Sequence, residues 1–202
     1  MARFRYGDKD SAREKIVRHA SLRFRKEGLA GVGMRPIMAD AGLTHGAFYA
    51  HFATRADLVE AALDAAMDET LAALAAAADA APEGRKLEAI IDSYLRPAHR
   101  DRTDLGCATA ALAPDIARED VTLRDHYLER VGDLADLIAA HLPAGGSAVQ
   151  RGARAHILFG TMLGVLQLAR IATDAASASA LINDGRATAL ASARLPWPAD
   201  AE

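Results

Sequence analysis

The segment Gly33–Phe52, GMRPIMADAGLTHGAFYAHF, leaves few folds open to this chain. Met34, Ile37, Met38 and Ala41 recur at helical spacing and give a first short helix one apolar face. Ala41-Gly42-Leu43 then breaks the pattern, with Gly42 where a helix C-cap needs positive φ and Leu43 able to turn back into the core. Thr44 is a suitable N-cap for a second helix over about His45 to His51, its hydroxyl accepting from an early backbone N–H. That second helix has only Phe48 and Phe52 as core anchors and turns His45, Gly46, Ala47, Tyr49 and His51 outward. A helix with so little to bury takes its order from something it touches. A helix–turn–helix that presents its second helix to a DNA major groove has this pattern. Pro36 is tolerated if Gly33 is the N-cap, because it then lies in the first turn.

The rest of the chain predicts an all-α protein of about nine helices. Alanine dominates, aromatic residues are 5% of the 202, and Val, Ile and Thr form no alternating runs. A first helix runs from about Lys9 to Glu27. Ile16, Ala20, Leu22 and Phe24, with the later Leu29, are its apolar positions, and Arg13, Lys15, Arg18 and Arg25 make a basic face. Residues 1–8 are expected as a basic arm, with Arg3 and Arg5 either solvated or on phosphates. Thr54-Arg55-Ala56-Asp57 resembles a capping box and opens a long helix that ends near Ala80, before Pro82. Further helices are expected over about Glu83–Arg100, Cys107–Ala117, Val121–Leu142, Ser147–Thr173 and Ser177–Ala193. This divides the chain into an N-terminal three-helix module, 1–55, with the helix–turn–helix at about 33–52, and a helical body, 56–202.

Charge supports the division. The formal net charge is only −3, but residues 1–60 carry 11 Lys+Arg against 7 Asp+Glu, and the remainder 13 against 20. A basic module on an acidic body is the electrostatic pattern of a DNA binder. The single cysteine, Cys107, precludes an intrachain disulfide and suits a reducing cytoplasm. No signal peptide is visible, and the most apolar stretch, Ile157–Ile171, is too short to span a bilayer and contains Gln167 and Arg170. A cytoplasmic protein without membrane association is expected.

The residues Phe24, Gly28, Ile37, Ala41-Gly42-Leu43, Gly46, Phe48-Tyr49, His51-Phe52, Arg55 and Leu58 resemble, in order and spacing, the TetR/AcrR family of bacterial transcriptional regulators. The likeness covers about the first 60 residues and is looser over the body. Gly33 stands where most members have a capping Ser or Thr, Pro36 where many have an acid, and Arg55 where lysine is usual. The resemblance implies a homodimer placing two reading helices in successive major grooves of a palindromic operator. It also implies a pocket in the body for a small-molecule inducer that releases the DNA.

On that basis Arg35, Thr44, His45, Gly46, Ala47, Tyr49, His51 and Arg55 are the candidate DNA contacts. The first residues of the reading helix would face base edges, and Tyr49, His51 and Arg55 phosphates. Met67, Leu71, Tyr94, Cys107, Leu112, Ile116, Tyr127, Phe159, Met162 and Gln167 are candidate pocket residues, with plain core packing the competing role for many of them. Cys107, at a helix N-terminus, suits either an electrophile sensor or a small buried hydrophobe. Gly160 and Gly164, with His156 one turn earlier, predict a close helix approach. Together with Leu181, Ile182, Leu190 and Trp197 they are assigned to a four-helix dimer interface, with packing inside one subunit as the alternative. No cofactor and no metal are expected, since no histidine pair has metal-ligand spacing. An enzyme is disfavoured by the lack of a nucleotide loop or a nucleophile–base arrangement. The standing rival is a helical ligand-binding or interaction protein without specific DNA binding.

Overall fold

The computed structural model describes residues 6–198, with side-chain burial from Ser11 onward, and these residues form helices and connections without a strand. In order they are α1 (Tyr6–Glu27), α2 (Met34–Asp40), a 3₁₀ helix (His45–Ala50), α3 (Arg55–Ala80), α4 (Lys86–Tyr94), α5 (Pro97–Asp101), a 3₁₀ turn (Thr103–Leu105), α6 (Ala108–Ile116), α7 (Val121–Ala140), α8 (Ala148–Ile171) and α9 (Ala175–Ala193). The all-α expectation holds, and nine α-helices lie among the described residues. Two details differ from the sequence reading. The segment after Thr44 is 3₁₀ rather than α, and the helix expected over Glu83–Arg100 is two helices. The split follows from Pro97. It holds the preceding Arg96 extended at φ −118°, ψ 152°, and takes the N-terminal position of α5 itself. Arg3 and Arg5 lie outside the described residues, and α1 begins at Tyr6 rather than Lys9.

The chain forms two compact units. One comprises the described residues through Asp68 together with Thr103–Tyr127. Its α1 buries Ala12, Ile16, Val17, Ala20, Ser21, Phe24 and Arg25, a stripe at i, i+4. Gly28 ends the helix at φ +79°, and its N–H returns to the Phe24 carbonyl at 2.9 Å. Arg25 therefore belongs to the buried stripe and not to the basic face. It donates to the carbonyls of Ser21 (3.2 Å) and Gly106 (3.0 Å), which satisfies its guanidinium inside the unit. Leu22, expected in the core, is half-buried. The Leu29 N–H donates to Asp115 Oδ2 at 3.3 Å, so the chain leaving α1 is tied to α6.

The other unit comprises Glu69–Arg102 and 128–198 of the described chain, and its central packing is α8 against α9. Ser147 and Gln150 form a full capping box on α8, and Asp174 caps α9 by accepting from the Ser177 N–H at 2.8 Å. That bond holds the Asp174 carboxyl below the usual carboxylate range. Gly185 sets the closeness of the pair, because a Cβ there would lie 2.4 Å from Val165 Cγ1. No helix among the described residues is long and apolar enough to cross a membrane.

Candidate nucleic-acid interface

Helix α2 starts without a side-chain cap, since Gly33 offers none, and such a cap is worth about 1 kcal/mol. Ile37 and Met38, both fully buried, contribute about 1.5–3 kcal/mol each, so burial rather than capping holds this helix. Its C-terminus is a Schellman motif. Gly42 adopts φ +73°, its N–H reaches the Ala39 carbonyl at 3.0 Å, and the Leu43 N–H reaches Met38 at 2.9 Å. Arg23 of α1 holds the helix from outside, its Nε donating to Asp40 Oδ2 at 2.5 Å. This bond keeps the Asp40 carboxyl below its ordinary pKa.

The next segment, His45–Ala50, is where the structure most sharply refines the expectation. Thr44 is the N-cap, but its hydroxyl makes no capping bond. Its carbonyl instead accepts from the Ala47 N–H at 3.0 Å, an i→i+3 bond that sets the tighter 3₁₀ pitch. Six residues including Gly46 are too few, and too weak in helix propensity, to nucleate an α-helix unaided. Phe48 and Phe52 anchor the segment. They are 2% and 4% exposed and stack at 5.7 Å, with Arg13 4.9 Å over the Phe52 ring. Thr44, His45, Gly46 and Tyr49 are left exposed, Ala47 and His51 half-exposed. Tyr49 stands edge-on to Phe48 at 5.2 Å and is 71% exposed.

The junction to α3 is a true capping box. Asp57 N–H donates to Thr54 Oγ1 at 3.1 Å, and Thr54 N–H donates to Asp57 Oδ2 at 2.9 Å. These bonds, the Thr54 hydroxyl first, lower the Asp57 pKa. Arg55 was expected at a phosphate. Its guanidinium is bonded to the Leu29 carbonyl and lies 5.6 Å from the Phe24 ring, while the residue as a whole is exposed. Arg35, on α2, is exposed.

Residues 16–62 match the family model for bacterial regulatory proteins, tetR family. Over these residues the chain is similar to the N-terminal domain of that family.

The solved structures it resembles agree in fold. A TetR transcriptional regulator from Chloroflexus aurantiacus shares 22% identity, over 90% of this chain and 95% of that one, with a TM-score of 0.75. A TetR-family regulator from Agrobacterium tumefaciens gives 22% identity, 89% and 98% coverage, and a TM-score of 0.73. The regulator FadR from Bacillus subtilis, solved with stearoyl-CoA, gives 14%, 89%, 98% and 0.70. No protein of curated function matches the sequence.

The pocket candidates fall into both units. In the first, Met67, Cys107, Leu112, Ile116 and Tyr127 are all buried. The Tyr127 hydroxyl lies 2.9 Å from Thr109 Oγ1 and donates to Met67 Sδ at 3.4 Å. Burial first, and the neighbouring Cys107 second, push the Tyr127 phenol far above its ordinary pKa, so it stays protonated and able to donate. Thr109, a buried polar partner, was missed in sequence because a threonine in an alanine-rich helix carries no local mark. In the second unit Tyr94 packs edge-on to Phe159 at 5.7 Å and to His99 at 4.7 Å. Met162 is fully buried and Leu71 half-buried. Gln167 is exposed, with its side-chain oxygen towards Arg170, on the far side of α8 from Met162 and Leu166. Two cavities of this unit, of about 320 and 350 Å³, are lined by other residues. The first is polar, with Glu83, Lys86, Glu88, His141 and Arg194. The second lies beside Arg154, Ile157 and Trp197.

The residues assigned to dimerisation also separate. His156, Gly160 and Gly164 are exposed, and a Cβ on either glycine would meet nothing within 4 Å. Packing inside the subunit therefore does not explain these two glycines. Gly185, not singled out in the sequence, is the glycine that closes α9 on α8. That closeness covers Ile182, which is 2% exposed within its own chain. Leu181 and Leu190 are half-buried, Leu190 against the polar cavity. Trp197 also serves its own subunit. Gly145 and Gly146 make room for its ring, Arg154 stacks on it at 3.7 Å, and its Nε1 donates to the Ala144 carbonyl at 3.1 Å.

A further group does not follow from histidine spacing along the sequence. Glu60 and Asp64 of α3 and His126 of α7 bring one donor atom each to within 4.8 Å of one another. The histidine is 62 residues from Asp64, so only the folded chain reveals the group.

Proposed function

We propose that this chain is a ligand-responsive transcriptional repressor that binds palindromic operator DNA as a homodimer and releases it when a small molecule binds. The observation that carries the reading is the 3₁₀ segment after Thr44: two buried phenylalanines fix it, and everything else it offers is small, polar or aromatic and faces outward. His45, Gly46 and Ala47 serve as the base-reading positions, with Ala47 able to meet a thymine methyl. Arg35, Thr44, Tyr49 and His51 serve as backbone contacts. Arg55 acts by holding the start of α3 against Leu29, and so positions the reader.

Residues 1–55 serve as the DNA-binding module, and 56–202 as the ligand-binding and dimerising body. The outward glycines of α8, flanked by exposed Val149, Ile157, Leu168 and Ile171, favour pairing of α8 with its copy. FadR of Bacillus subtilis, solved with stearoyl-CoA, is a precedent for a small-molecule ligand on this fold. Within the body, the protonated Tyr127–Thr109 pair is suited to orient a ligand among apolar walls. The burial of Cys107, at 1% exposure, favours its packing role over that of an electrophile sensor.

The test is a gel-shift titration with fragments of the chain's own promoter region at several salt concentrations. A steep fall of log affinity with log salt is expected, and Arg35→Ala should reduce that slope by about one. Absence of any binding in moderate salt would favour a helical ligand-binding protein instead.

A further inference from the structure

We propose that Glu60, Asp64 and His126 form a binding site for one divalent first-row transition-metal ion, with Zn²⁺ the best match. Glu60 and Asp64 are four residues apart on α3 and therefore share a face. His126 comes to that face from α7, within the same unit. Its Nε2 lies 2.8 Å from Asp64 Oδ1. Two ligands at adjacent tetrahedral positions around a metal, each about 2.1 Å from it, stand about 3.4 Å apart. This edge of the triangle is therefore a direct hydrogen bond that would open by about 0.6 Å to admit the ion. The third donor lies within 4.8 Å, on Glu60, which is exposed and has rotamers to spare for closing the rest.

A plain histidine–carboxylate pair accounts for Asp64 and His126. It does not account for Glu60 bringing a second carboxylate to the same spot. A dication can take both carboxylates together with the imidazole, which it binds in its neutral form. The donor set decides the class of ion. Calcium and magnesium take all-oxygen shells, whereas an imidazole beside carboxylates suits Zn²⁺ and its first-row neighbours. Three protein ligands leave at least one position for solvent, which makes the ion exchangeable, unlike the closed four-ligand sites of structural zinc. Bound there, it clips α3 to α7 inside the first unit and stabilises that unit by mass action.

The experiment needs no DNA, so its outcome is separate from that of the repressor reading. The full chain, stripped with EDTA, is titrated calorimetrically with ZnCl₂ and in parallel with MgCl₂, and its melting temperature is followed with each. One Zn²⁺ per chain is expected, with a raised melting temperature and far weaker Mg²⁺ binding. Asp64→Asn and His126→Gln should each weaken Zn²⁺ binding at least about tenfold. Glu60→Gln, at an exposed position that folding does not need, should weaken it while leaving the metal-free melting temperature unchanged. Failure of the native chain to take up stoichiometric Zn²⁺ would overturn the site, as would native-like affinity in all three variants. Equal affinity for Mg²⁺ would overturn the choice of ion class.

Discussion

The 3₁₀ segment His45–Ala50 and helix α8 both leave uncovered what a monomer ordinarily hides or lacks, and they do so with opposite chemistry. The first is six residues long, has no side-chain cap and rests on Phe48 inside it and Phe52 just beyond. What it exposes is small, polar or aromatic, in a part of the sequence rich in Lys and Arg. The second is 24 residues long, carries a complete capping box and buries Ala155, Leu158, Phe159, Met162, Leu166 and Ala169 along one side. On its other side Ile157 is 73% and Ile171 is 74% exposed, around two open glycines. An uncovered polar surface near positive charge is matched by a polyanion, whereas an uncovered apolar stripe with small residues is matched by another apolar helix. The comparison teaches that exposure alone says little. The chemistry of what is exposed, and how firmly the element beneath it is held, select the partner.

Several experiments can break that contrast or sharpen it. The largest effect is expected from Phe48→Ala. Emptying the anchor should cost about 3–5 kcal/mol in urea unfolding and abolish promoter binding. A loss under about 1 kcal/mol would mean that the segment holds itself up. Next comes Ile157→Asp on α8, where the dimer dissociation constant in analytical ultracentrifugation should rise by about 100-fold or more, as for a central interface residue. A native chain that sediments as a monomer at micromolar concentration would remove the partner from this side of the comparison. Two glycines on the α8–α9 pair then separate inside from outside. Gly185→Ala drives a methyl into Val165 and should destabilise by about 1–3 kcal/mol in thermal unfolding. Gly160→Ala meets open space and should stabilise the isolated subunit by up to about 1 kcal/mol through helix propensity, while weakening the dimer.

A smaller effect is expected at the reading segment. Tyr49→Ala should lower DNA affinity about tenfold, some 1.4 kcal/mol, with unfolding changed by no more than about 0.5 kcal/mol. The smallest concerns the capping box. Thr54 holds the Asp57 carboxyl below its ordinary range. The stabilisation it represents is therefore complete above the ordinary carboxylate pKa and is lost as pH falls through the lowered value. Melting curves recorded from neutral to acid pH should show a shallower acid limb in Thr54→Ala than in the native chain.

Much of this organisation was legible in the sequence because it depends on neighbours a few residues apart. Gly42 announced the end of α2, Thr54 with Asp57 the start of α3, and Pro82 the limit beyond Ala80. Phe48 and Phe52 stood out as anchors because the residues around them had nothing to bury. The all-α fold and the helix–turn–helix follow from such local rules. What the sequence left open was which distant group each side chain would meet. Arg25 belonged to a basic face by helical spacing and Arg55 was a candidate phosphate contact, yet they bond the carbonyls of Gly106 and Leu29. Ile182 and Gly160 sit on helices of the same apolar character, and only the approach of α9 to Val165 decides that one is covered and the other open. His126 carries no motif until α3 and α7 place it beside Glu60 and Asp64. Helix starts, stops and anchors are set within a turn or two of chain, where backbone hydrogen bonding and side-chain pattern suffice. Burial, charge pairing and metal-ligand geometry are set by approaches between residues tens of positions apart, which tertiary packing alone decides.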